Sequence, residues 1–369
     1  MICKLLDIVN TVNTGADAIK KAPIVDEPTG LRCLRIGDVS QKRDFSAWGY
    51  TRTTAADYER YKLHKGDSII ARTGNTIGVS IYIEKDIESV YNNGLIRITA
   101  KREVVSPPFL YYLIRSTECQ DYIQSIAYGT STQPNMKIKD FLNFDINLPS
   151  LEVQDKIIAI IDKIEKKIRT NSQINENLAA QAQAIYQKYF LIAADPNWAL
   201  GHLSDLINVK YGKDHKKLAD GVYPVYGSGG IMRYVERPLY EKESVLIPRK
   251  GTLNNVMYVN QPFWSVDTMF YTEMKQANVA KFVYHFVKSK DLASMNAGSA
   301  VPSMTTAILN ALELRIPSAE ALRQFESSVA PMYEMMKKNE VQSRKLAELR
   351  DVLLPKLMSG ETDVSELDL

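Results

Sequence analysis

Cysteine is scarce in this sequence of 369 residues, and long hydrophobic runs are absent. The three cysteines, Cys3, Cys33 and Cys119, are odd in number and lack the short paired spacing of zinc ligands. This pattern is typical of reduced thiols in a cytoplasmic protein and argues against a structural zinc site. No segment approaches the roughly 18 uninterrupted apolar residues that a membrane span needs, and residues 1–10 do not resemble a signal peptide. We therefore expect a soluble, unprocessed protein without a membrane partner.

A recognisable catalytic or cofactor-binding arrangement is also missing. The glycine-containing residues 72–78 do not end in the Gly-Lys-Ser/Thr of a triphosphate-binding loop. No order of Ser, His and Asp suggests a hydrolase. The histidines lack the spacing of metal ligands, and surface or core positions explain them better. They are His64, His202, His215 and His285. We expect no catalytic residues, no metal and no cofactor.

The composition is that of an ordinary folded protein with a slight excess of basic residues. The chain is 45% hydrophobic and 24% charged, which is too apolar for general disorder. Its length exceeds that of one ordinary core, so two domains are expected. A net charge of +3 permits nucleic-acid binding without requiring it.

The two halves of the chain share a layout at an offset of about 170 residues. Each half contains a β-branched strand, a glycine-containing turn and a second strand, followed by a short amphipathic helix. Each then closes with a strand that ends in Ile/Leu-Pro. The matched pairs are residues 66–83 with 243–259, 109–116 with 282–289, and 128–149 with 296–317. The pattern predicts two similar domains.

Each half ends in a long segment with the heptad pattern of a coiled-coil helix. Apolar residues recur at alternating steps of four and three, and each segment would form a helix about 55 Å long. The first seam consists of Ile157, Ile161, Ile164, Ile168, Leu178, Ala182, Ile185 and Tyr189. The second consists of Leu322, Phe325, Val329, Met332, Met336, Leu346 and Leu353. Antiparallel pairing would bury both seams.

Polar residues interrupt the two seams at one level. Asn171 and Asn175 lie in the first seam, and Asn339 and Ser343 lie in the second. Antiparallel pairing sets Asn171 near Asn339, where matched amides would fix the register of the helices. In the alternative, Asn171 and Asn175 face solvent and Ile174 lies inside.

The same antiparallel register makes four further apolar pairs. It sets Ile157 near Leu353, Ile164 near Leu346, Leu178 near Met332 and Ile185 near Phe325. Two prolines fall within the second helix. Pro331 is expected to kink and interrupt it, and Pro355 with Ser359 and Gly360 is expected to end it or bend its last turn.

Five segments resemble parts of one known family. Residues 148–177 contain the start of the first helical segment, and residues 346–360 contain the end of the second. Residues 34–39, 66–78 and 223–230 lie in the two halves. The helical segments resemble the conserved regions of type I restriction-modification specificity subunits. The other three resemble recurring pieces of the target-recognition domains in that family.

One motif departs from the family pattern in the second half. The usual Leu-Pro-x-x-Glu-x-Gln appears as Leu148-Pro-Ser-Leu-Glu-Val-Gln154 in the first half but as Ile316-Pro-Ser-Ala-Glu-Ala-Leu322 in the second. The departure concerns the fit of one methyltransferase subunit and not the fold.

The resemblance implies a fold of mixed α+β and α/β class. Two similar globular target-recognition domains, each reading half of a bipartite DNA site, would be joined by two long helices in an antiparallel coiled coil. The implied divisions are residues 1–150 and 191–318 for the domains, 151–190 and 319–358 for the helices, and 359–369 for a tail. The implied partners are double-stranded DNA, two methyltransferase subunits docked along the helices, and restriction (translocase-nuclease) subunits beyond them.

Two repeated loops carry the side chains that DNA recognition requires. Cations can bind phosphates, while amides and hydroxyls can bind base edges. The candidates are Arg72, Thr73, Asn75 and Thr76 in the first loop, and Arg249, Lys250, Thr252, Asn254 and Asn255 in the second. Weaker candidates are Lys42, Arg43, Tyr50 and Arg52, and Lys210, Tyr211, Lys213 and Tyr226. The alternatives are ordinary polar hairpins for the loops and helical surface for the weaker set.

Two other functions fit parts of the sequence. Ser106-Pro-Pro-Phe109 matches the catalytic loop of adenine methyltransferases, which holds a flipped base. Such an enzyme also needs a glycine-rich turn before a helix, and residues 226–230 lack a convincing following helix. Ser106 is alternatively a helix N-cap with Pro107 at the first helical position. The other function is a coiled-coil scaffold without sequence preference.

Overall fold

The computed structural model describes residues 2–127, 134–295 and 303–364, and the chain forms two compact units. Unit 1 comprises Met1–Thr170 and Gln342–Leu369, and unit 2 comprises Asn171–Val341. Parts of the matched closing segments, residues 128–133 and 296–302, lie outside the described residues, as do residues 365–369 of the tail. The division of the chain at residues 150, 190, 318 and 358 stays a prediction.

The first part of unit 1 contains short strands and helices up to a strand that ends before Pro149. They are β1 (Ile2–Lys4), α1 (Leu5–Ile8), β2 (Val9–Thr14), β3 (Ile24–Val25), β4 (Arg32–Leu34), α2 (Ile36–Ser40), β5 (Gly49–Thr51), α3 (Ala55–Tyr61), β6 (Ser68–Ala71), β7 (Ser80–Tyr82), β8 (Ser89–Tyr91), β9 (Leu95–Ala100), α4 (Pro107–Arg115), α5 (Thr117–Ala127), α6 (Ile138–Phe141) and β10 (Asp145–Asn147). A 3-10 turn, Phe45–Ala47, precedes β5.

A long helix, α7 (Leu151–Gln187), continues into a π-helical turn, Lys188–Ile192. Unit 2 then contains β11 (Leu200–His202), α8 (Leu203–Leu206), β12 (Ile207–Tyr211), β13 (Asp220–Gly227), β14 (Gly230–Val235), β15 (Ser244–Pro248), β16 (Met257–Val259), β17 (Trp264–Ser265), β18 (Met269–Met274), α9 (Ala280–Lys288), α10 (Thr306–Asn310) and β19 (Glu313–Arg315). A second long helix, α11 (Ala319–Ser359), follows.

The two units repeat one sheet frame, which confirms the predicted duplication. The four-stranded sheet has the order β2-β9-β6-β7 in unit 1 and β12-β18-β15-β16 in unit 2. The first strand of each unit pairs with the closing strand, β1 with β10 and β11 with β19. The predicted strand-turn-strand segments are β6–β7 and β15–β16, and the predicted short helices are α4 and α9.

The units differ in the layer that accompanies this frame. In unit 1, β4 pairs in parallel with β8 inside a sheet of order β3-β5-β4-β8. In unit 2, β13 pairs in parallel with β17, and an antiparallel hairpin joins β13 to β14. The connection after the parallel-paired strand is therefore helix α2 in one unit and a tight hairpin turn in the other.

Helix α4 and its counterpart α9 cover the sheets with aromatic and aliphatic side chains. Phe109 and Ile114 of α4 are fully buried against Ile70 and Ile96 of the unit 1 sheet. In unit 2, Phe282 and Phe286 belong to the cluster that contains Ile247 and Phe270. Burial of side chains of this size stabilises each unit by about 1.5–3 kcal/mol per residue.

Within unit 1, the start of α7 pairs with the end of α11. One buried cluster contains Ile157, Ile158, Ile161, Leu354, Leu357 and Met358. Beside it, Arg350 Nη1 lies 2.8 Å from Glu165 Oε1. Low residue numbers of α7 thus lie beside high numbers of α11, and the pairing is antiparallel.

Within unit 2, the rest of the two helices also pair antiparallel, through amides. Asn339 Nδ2 donates to Asn175 Oδ1 at 2.8 Å, and Asn175 Nδ2 donates to the Met336 carbonyl oxygen at 3.1 Å. Asn171, which is 1% exposed, donates to the Asn339 carbonyl oxygen at 3.4 Å. Ile174 is 38% exposed. The predicted facing amides are confirmed, and the alternative with Ile174 inside is wrong.

Helix α11 runs without a break through both of its prolines. The predicted interruption at Pro331 is therefore wrong, whereas the predicted end at Ser359 and Gly360 is confirmed, because the helix ends at Ser359. A helical proline removes one hydrogen bond, but Val329, Leu354 and Leu357 are buried around these two positions, and their packing maintains the helix. Gly360 has φ +80, as in a glycine that follows a helix.

The hydrogen bonds at the start of α7 show what Gln154, the glutamine of the Leu-Pro-x-x-Glu-x-Gln motif, does in the fold. Gln154 is fully buried, its Oε1 accepts from the Ser106 main-chain N–H at 2.9 Å, and its Nε2 donates to the carbonyl oxygens of Val104 and Pro149 at 3.0 and 2.9 Å. Its counterpart Leu322 packs in the apolar core of unit 2. The departure in the second motif thus replaces a hydrogen-bonded tie with an apolar contact.

Candidate nucleic-acid interface

The predicted loop of unit 1 begins at the end of β6 and is fixed by main-chain hydrogen bonds. The Arg72 N–H donates to the Gly94 carbonyl at 3.0 Å, and the Arg72 carbonyl accepts from the Met136 N–H at 2.8 Å. Gly74 has φ +82, a conformation that favours glycine, and its N–H donates to the Pro134 carbonyl at 3.1 Å. The loop is thus a defined structure rather than a free hairpin.

The predicted loop of unit 2 has the same frame at the end of β15. The Arg249 N–H donates to the Thr268 carbonyl at 2.9 Å, and the Arg249 carbonyl accepts from the Met304 N–H at 2.9 Å. Lys250 forms a β-bridge with Ser303, as Thr73 does with Asn135 in unit 1. Arg72 and Arg249 therefore occupy equivalent positions in the two units.

The side chains of Arg72 and Arg249 extend to the end of the strand that comes first in the four-stranded sheet of each unit, β2 in unit 1 and β12 in unit 2. Arg72 Nη1 donates to Thr14 Oγ1 at 3.3 Å, at the end of β2. The Arg249 guanidinium lies 5.4 Å from the ring centre of Tyr211, at the end of β12, and Nη1 donates to the Asp267 carbonyl at 3.3 Å. A guanidinium has five N–H donors, so both retain donors for a ligand.

The other predicted residues of the unit 2 loop divide into two groups. Lys250 and Thr252 are exposed, and their side chains have no polar partner among the residues that the structure describes. Asn254 Nδ2 donates to Asp291 Oδ1 at 3.0 Å and lowers the pKa of that carboxyl. Asn255 Nδ2 donates to the Ser228 carbonyl at 2.7 Å. The two asparagine amides therefore hold the loop in place.

In the unit 1 loop, Asn75 is the exposed member of the predicted residues. Thr73 and Thr76 are half-buried, and the loop returns to the sheet at Gly78, which has φ +89. A side chain at Gly78 would meet Gln120 Oε1 at 2.5 Å. This close approach of helix α5 accounts for the glycine.

The weaker candidates of unit 1 follow helix α2. Lys42 is exposed and has φ 50, which is uncommon for a residue with a side chain. Arg43 Nη1 lies 3.2 Å from Oδ1 of the buried Asp38. Both basic residues lie on the connection that differs between the two units.

The sequence reasoning missed Arg32, on β4. Its guanidinium lies 4.2 Å from the ring centre of Tyr50 and donates to Tyr50 Oη at 3.0 Å. Tyr50 is therefore occupied within unit 1, and Arg52 pairs with Glu27 at 2.6 Å. The contact forms between two strands, so in the sequence it is indicated only by the aromatic residues around β5.

Three of the predicted basic and aromatic residues of unit 2 meet at the segment of residues 265–269. Lys213 donates its N–H to the Ser265 carbonyl at 2.8 Å, and the Tyr226 carbonyl accepts from the Val266 N–H at 3.1 Å. Arg249 joins through Thr268, as described above. Burial raises the pKa of Tyr226, whose hydroxyl accepts from Gln261 Nε2 at 3.3 Å.

Lys210 lies apart from this segment. It is exposed within β12, and its Nζ lies 3.5 Å from Glu273 Oε2 on the neighbouring strand β18. A cross-strand ion pair explains Lys210 as part of the sheet surface.

The residues proposed for a methyltransferase do not form such a site. Ser106 is the N-cap of α4 and Pro107 its first residue, although the Ser106 hydroxyl makes no capping hydrogen bond. Phe109 is fully buried in the core and cannot stack on a base. Gly227 pairs with Gly230 in a hairpin, so the glycine-rich turn is followed by a strand and not by a helix.

Buried titratable groups elsewhere belong to the core. Burial raises the pKa of Cys33 and of Cys119 to about 12 and keeps both as thiols. His285 Nδ1 lies 2.7 Å from Gln183 Oε1 and Nε2 lies 2.9 Å from Tyr333 Oη, while burial lowers its pKa to about 4. No group of His, Cys, Asp and Glu suited to a metal occurs within residues 2–127, 134–295 and 303–364.

Sequence comparisons connect this architecture to known proteins. A family model described as a type I restriction modification DNA specificity domain matches residues 2–180 and 196–327. The type I restriction enzyme HindI specificity subunit of Haemophilus influenzae is 22% identical over 81% of this chain and 87% of its own length. The MjaIX specificity subunit of Methanocaldococcus jannaschii is 25% identical over 75% of this chain and 73% of its own.

A solved structure has the same fold. The S subunit of a type I restriction-modification system from M. genitalium aligns with 99% of this chain and 96% of its own, with a TM-score of 0.62 at 18% identity. Among the described residues, none of the helices is long and apolar enough to cross a membrane.

Proposed function

The chain belongs to the type I restriction-modification DNA specificity family, and we propose that it is the subunit that recognises a bipartite DNA sequence. Each unit would read one half-site, and the chain itself would carry out no catalysis. Its relatives are named as specificity subunits of restriction enzymes, so methylation and cleavage belong to partner subunits. The chain acts within such a complex.

One observation supports this proposal most strongly. Arg72 follows β6 and Arg249 follows β15, which are equivalent strands of the two sheets. The N–H of each arginine donates to a glycine or threonine carbonyl, and its carbonyl accepts from a methionine N–H. A duplicated cationic position on a rigid frame suits phosphate binding at two places on a duplex. Lys250 and Thr252 add a further charge and a hydroxyl in unit 2.

The helices supply the proposed docking sites of the partners. We place two methyltransferase subunits along α7 and α11, and restriction subunits beyond them. We also retain the division into recognition domains, residues 1–150 and 191–318, helical spacers, residues 151–190 and 319–358, and a tail, residues 359–369. Leu322, in place of the motif glutamine, would alter the fit of one methyltransferase subunit.

Sequencing the modified adenines in a host that produces this chain together with its methyltransferase tests the proposal. A two-part motif with an unspecified gap is expected. Modification at random sites would contradict sequence recognition and would favour a scaffold without sequence preference. Removal of the chain from the same host should abolish modification.

A binding measurement separates the proposal from catalysis by this chain. The purified chain should show no heat of binding with S-adenosylmethionine, because Phe109 is buried and the Gly227–Gly230 turn opens a strand. Saturable binding would favour the methyltransferase alternative.

A further inference from the structure

The two units differ at the connection that follows the parallel-paired strand. In unit 1 the connection after β4 is helix α2, and in unit 2 the connection after β13 is a tight hairpin turn into β14. The surrounding frame is shared, including the arginine position. Two domains that share a frame can discriminate different sequences through side chains or connections that differ.

The tip of the unit 2 hairpin, residues 227–232, is attached to the basic loop. The Ser228 carbonyl accepts from Asn255 Nδ2 at 2.7 Å. A side chain at Gly251 would meet Ser228 Oγ at 2.8 Å, so the two loops approach as closely as a glycine allows. Gly251 follows the exposed Lys250 directly. The hairpin tip and the cationic loop therefore form one continuous surface.

The hairpin tip also exposes apolar side chains. Ile231 is 47% exposed and Met232 is 60% exposed. A side chain at Gly227 would meet Met232 Sδ at 2.5 Å, so Met232 lies across the turn on the glycine. The hairpin cannot bury the two side chains itself.

A β-hairpin has the dimensions to enter a DNA groove. The major groove is about 12 Å wide and admits a two-stranded ribbon, whose strands lie about 4.8 Å apart. Apolar side chains contact the thymine methyl group there. Flanking cations bind the phosphates that border the groove.

We infer that the β13–β14 hairpin of unit 2 enters the major groove and that Ile231 and Met232 determine specificity there. This inference rests on the proposed function. Arg249 and Lys250 bind the flanking backbone, and Asn255 is a positioning residue that holds the hairpin tip at the correct distance from them. The repeated loops thus contribute affinity for the DNA backbone, and the β13–β14 hairpin contributes discrimination between base sequences.

The test uses the assembled complex of this chain with its methyltransferase. The double variant Ile231→Ala and Met232→Ala is compared with the wild type by sequencing modified adenines and by measuring affinity for a target duplex and for random DNA. We expect the preference at one or two positions of a single half-site to relax about tenfold. Affinity for random DNA should stay within twofold, because phosphate contacts remain.

Matched variants separate discrimination from folding. Val222→Ala removes a 77% exposed apolar side chain from the base of the same hairpin and should leave the motif unchanged. Met232→Leu retains an apolar side chain and should retain most of the preference. If the double variant unfolds, the comparison of Met232→Leu with Met232→Ser replaces it. Asn255→Leu should relax the same half-site with unchanged affinity for random DNA, which a general loss of folding would not do.

Two results would overturn the inference. One is an unchanged motif with an unchanged ratio of target to random affinity in the double variant. The other is an equal loss of affinity for target and random DNA, which would assign the tip to non-specific contact. If the wild-type complex itself shows no two-part motif, the proposed function fails first, so the two failures are distinguishable.

Discussion

Arg72 and Arg249 show how a single residue can serve both fold and function. The main chain of each arginine closes a loop, while the side chain uses few of its donors within the unit. Replacement by alanine therefore removes donors without removing the main-chain frame. This separation makes the two positions suitable for testing contact with DNA.

Arg249→Ala or Lys250→Ala should weaken DNA binding by the assembled enzyme through one half-site, and Arg72→Ala through the other. Each substitution should lower the slope of log affinity against log salt by about 1, the value for one phosphate contact. Binding titrations at several salt concentrations measure the slope.

The matched controls are Lys101→Ala and Lys275→Ala. Both lysines are exposed and follow the opposite ends of strands β9 and β18, away from the arginine loops. Their salt slopes should equal that of the wild type. Wild-type affinity and an unchanged modification motif in all three loop variants would remove the loops from the interface.

His285 makes the stability of unit 2 depend on pH. Its pKa in the folded protein is about 4, below the ordinary value of 6.5, because the ring is buried between Gln183 and Tyr333. The unfolded chain therefore binds the proton more tightly. Stability is complete above pH 6.5 and falls as the pH drops toward 4, by about 3 kcal/mol in total.

His285→Gln should flatten this part of the pH dependence. Urea unfolding at pH 7 and pH 4.5 measures the difference, and the variant should lose less stability between them than the wild type. Val283→Ala, which removes a buried side chain from the same helix but no titratable group, is the control and should retain the wild-type difference. Equal pH dependence in all three proteins would show that His285 does not titrate between these values.

The layer of asparagine amides fixes the register of α7 against α11 within unit 2. Asn339 Nδ2 and Asn175 Oδ1 satisfy each other. Asn339→Leu or Asn175→Leu alone should destabilise the protein by about 1–3 kcal/mol, because one polar group loses its partner. The double variant should cost less than the sum of the single ones.

A double-mutant cycle from urea titrations measures this coupling. The pair Leu178→Ala, one turn from Asn175, and Met332→Ala, two turns from Asn339, is the comparison, since both replace apolar side chains and leave the amides intact. Strict additivity at the two asparagines would mean that their hydrogen bond contributes nothing to the pairing.

Periodic elements could be predicted from the sequence, and irregular ones could not. The heptad seams located both long helices, since apolar residues must recur on one face to be buried. The hairpin β13–β14 escaped prediction because Pro224 and two glycines, Gly221 and Gly227, break the alternation of a strand. The interruption predicted at Pro331 was wrong because the packing of buried residues on both sides of this proline outweighs its local tendency to break a helix.

The candidate site was predictable only where it repeats. The equivalent positions of Arg72 and Arg249 could be predicted because the two halves could be aligned, and their contact with DNA stays a prediction. The stacking of Arg32 on Tyr50 and the tie from Asn255 to Ser228 join segments that are far apart in sequence, and no local pattern indicates them. Asn254 and Asn255 have the chemistry of base readers, yet their amides are used within unit 2.

Two continuous helices connect the two proposed reading units. Helix α7 has 37 residues and α11 has 41, and each passes without a break from one unit to the other. An α-helix rises by about 1.5 Å per residue and resists stretching, so a change in its length must be transmitted along the chain. The pair can therefore act as a spacer between the half-sites.

One heptad added to each helix at facing levels, after Leu178 and before Met332, should keep both seams aligned because the side-chain period is conserved. Each helix lengthens by about 10 Å, which corresponds to roughly three base steps of about 3.4 Å. The unspecified gap of the modified motif should widen by about three base pairs, while both half-sites stay the same. Sequencing of modified adenines measures the gap.

The rotation of DNA sets the level of activity to expect from this variant. Three base pairs turn the duplex by about 100° at roughly 10.5 base pairs per turn, whereas a heptad turns the helix seam much less. Modification should therefore be slower than in the wild type although the motif is longer. A heptad added to α7 alone breaks the register and should abolish modification. If the doubled insertion folds, directs modification and leaves the gap unchanged, the helices do not set the distance between the half-sites.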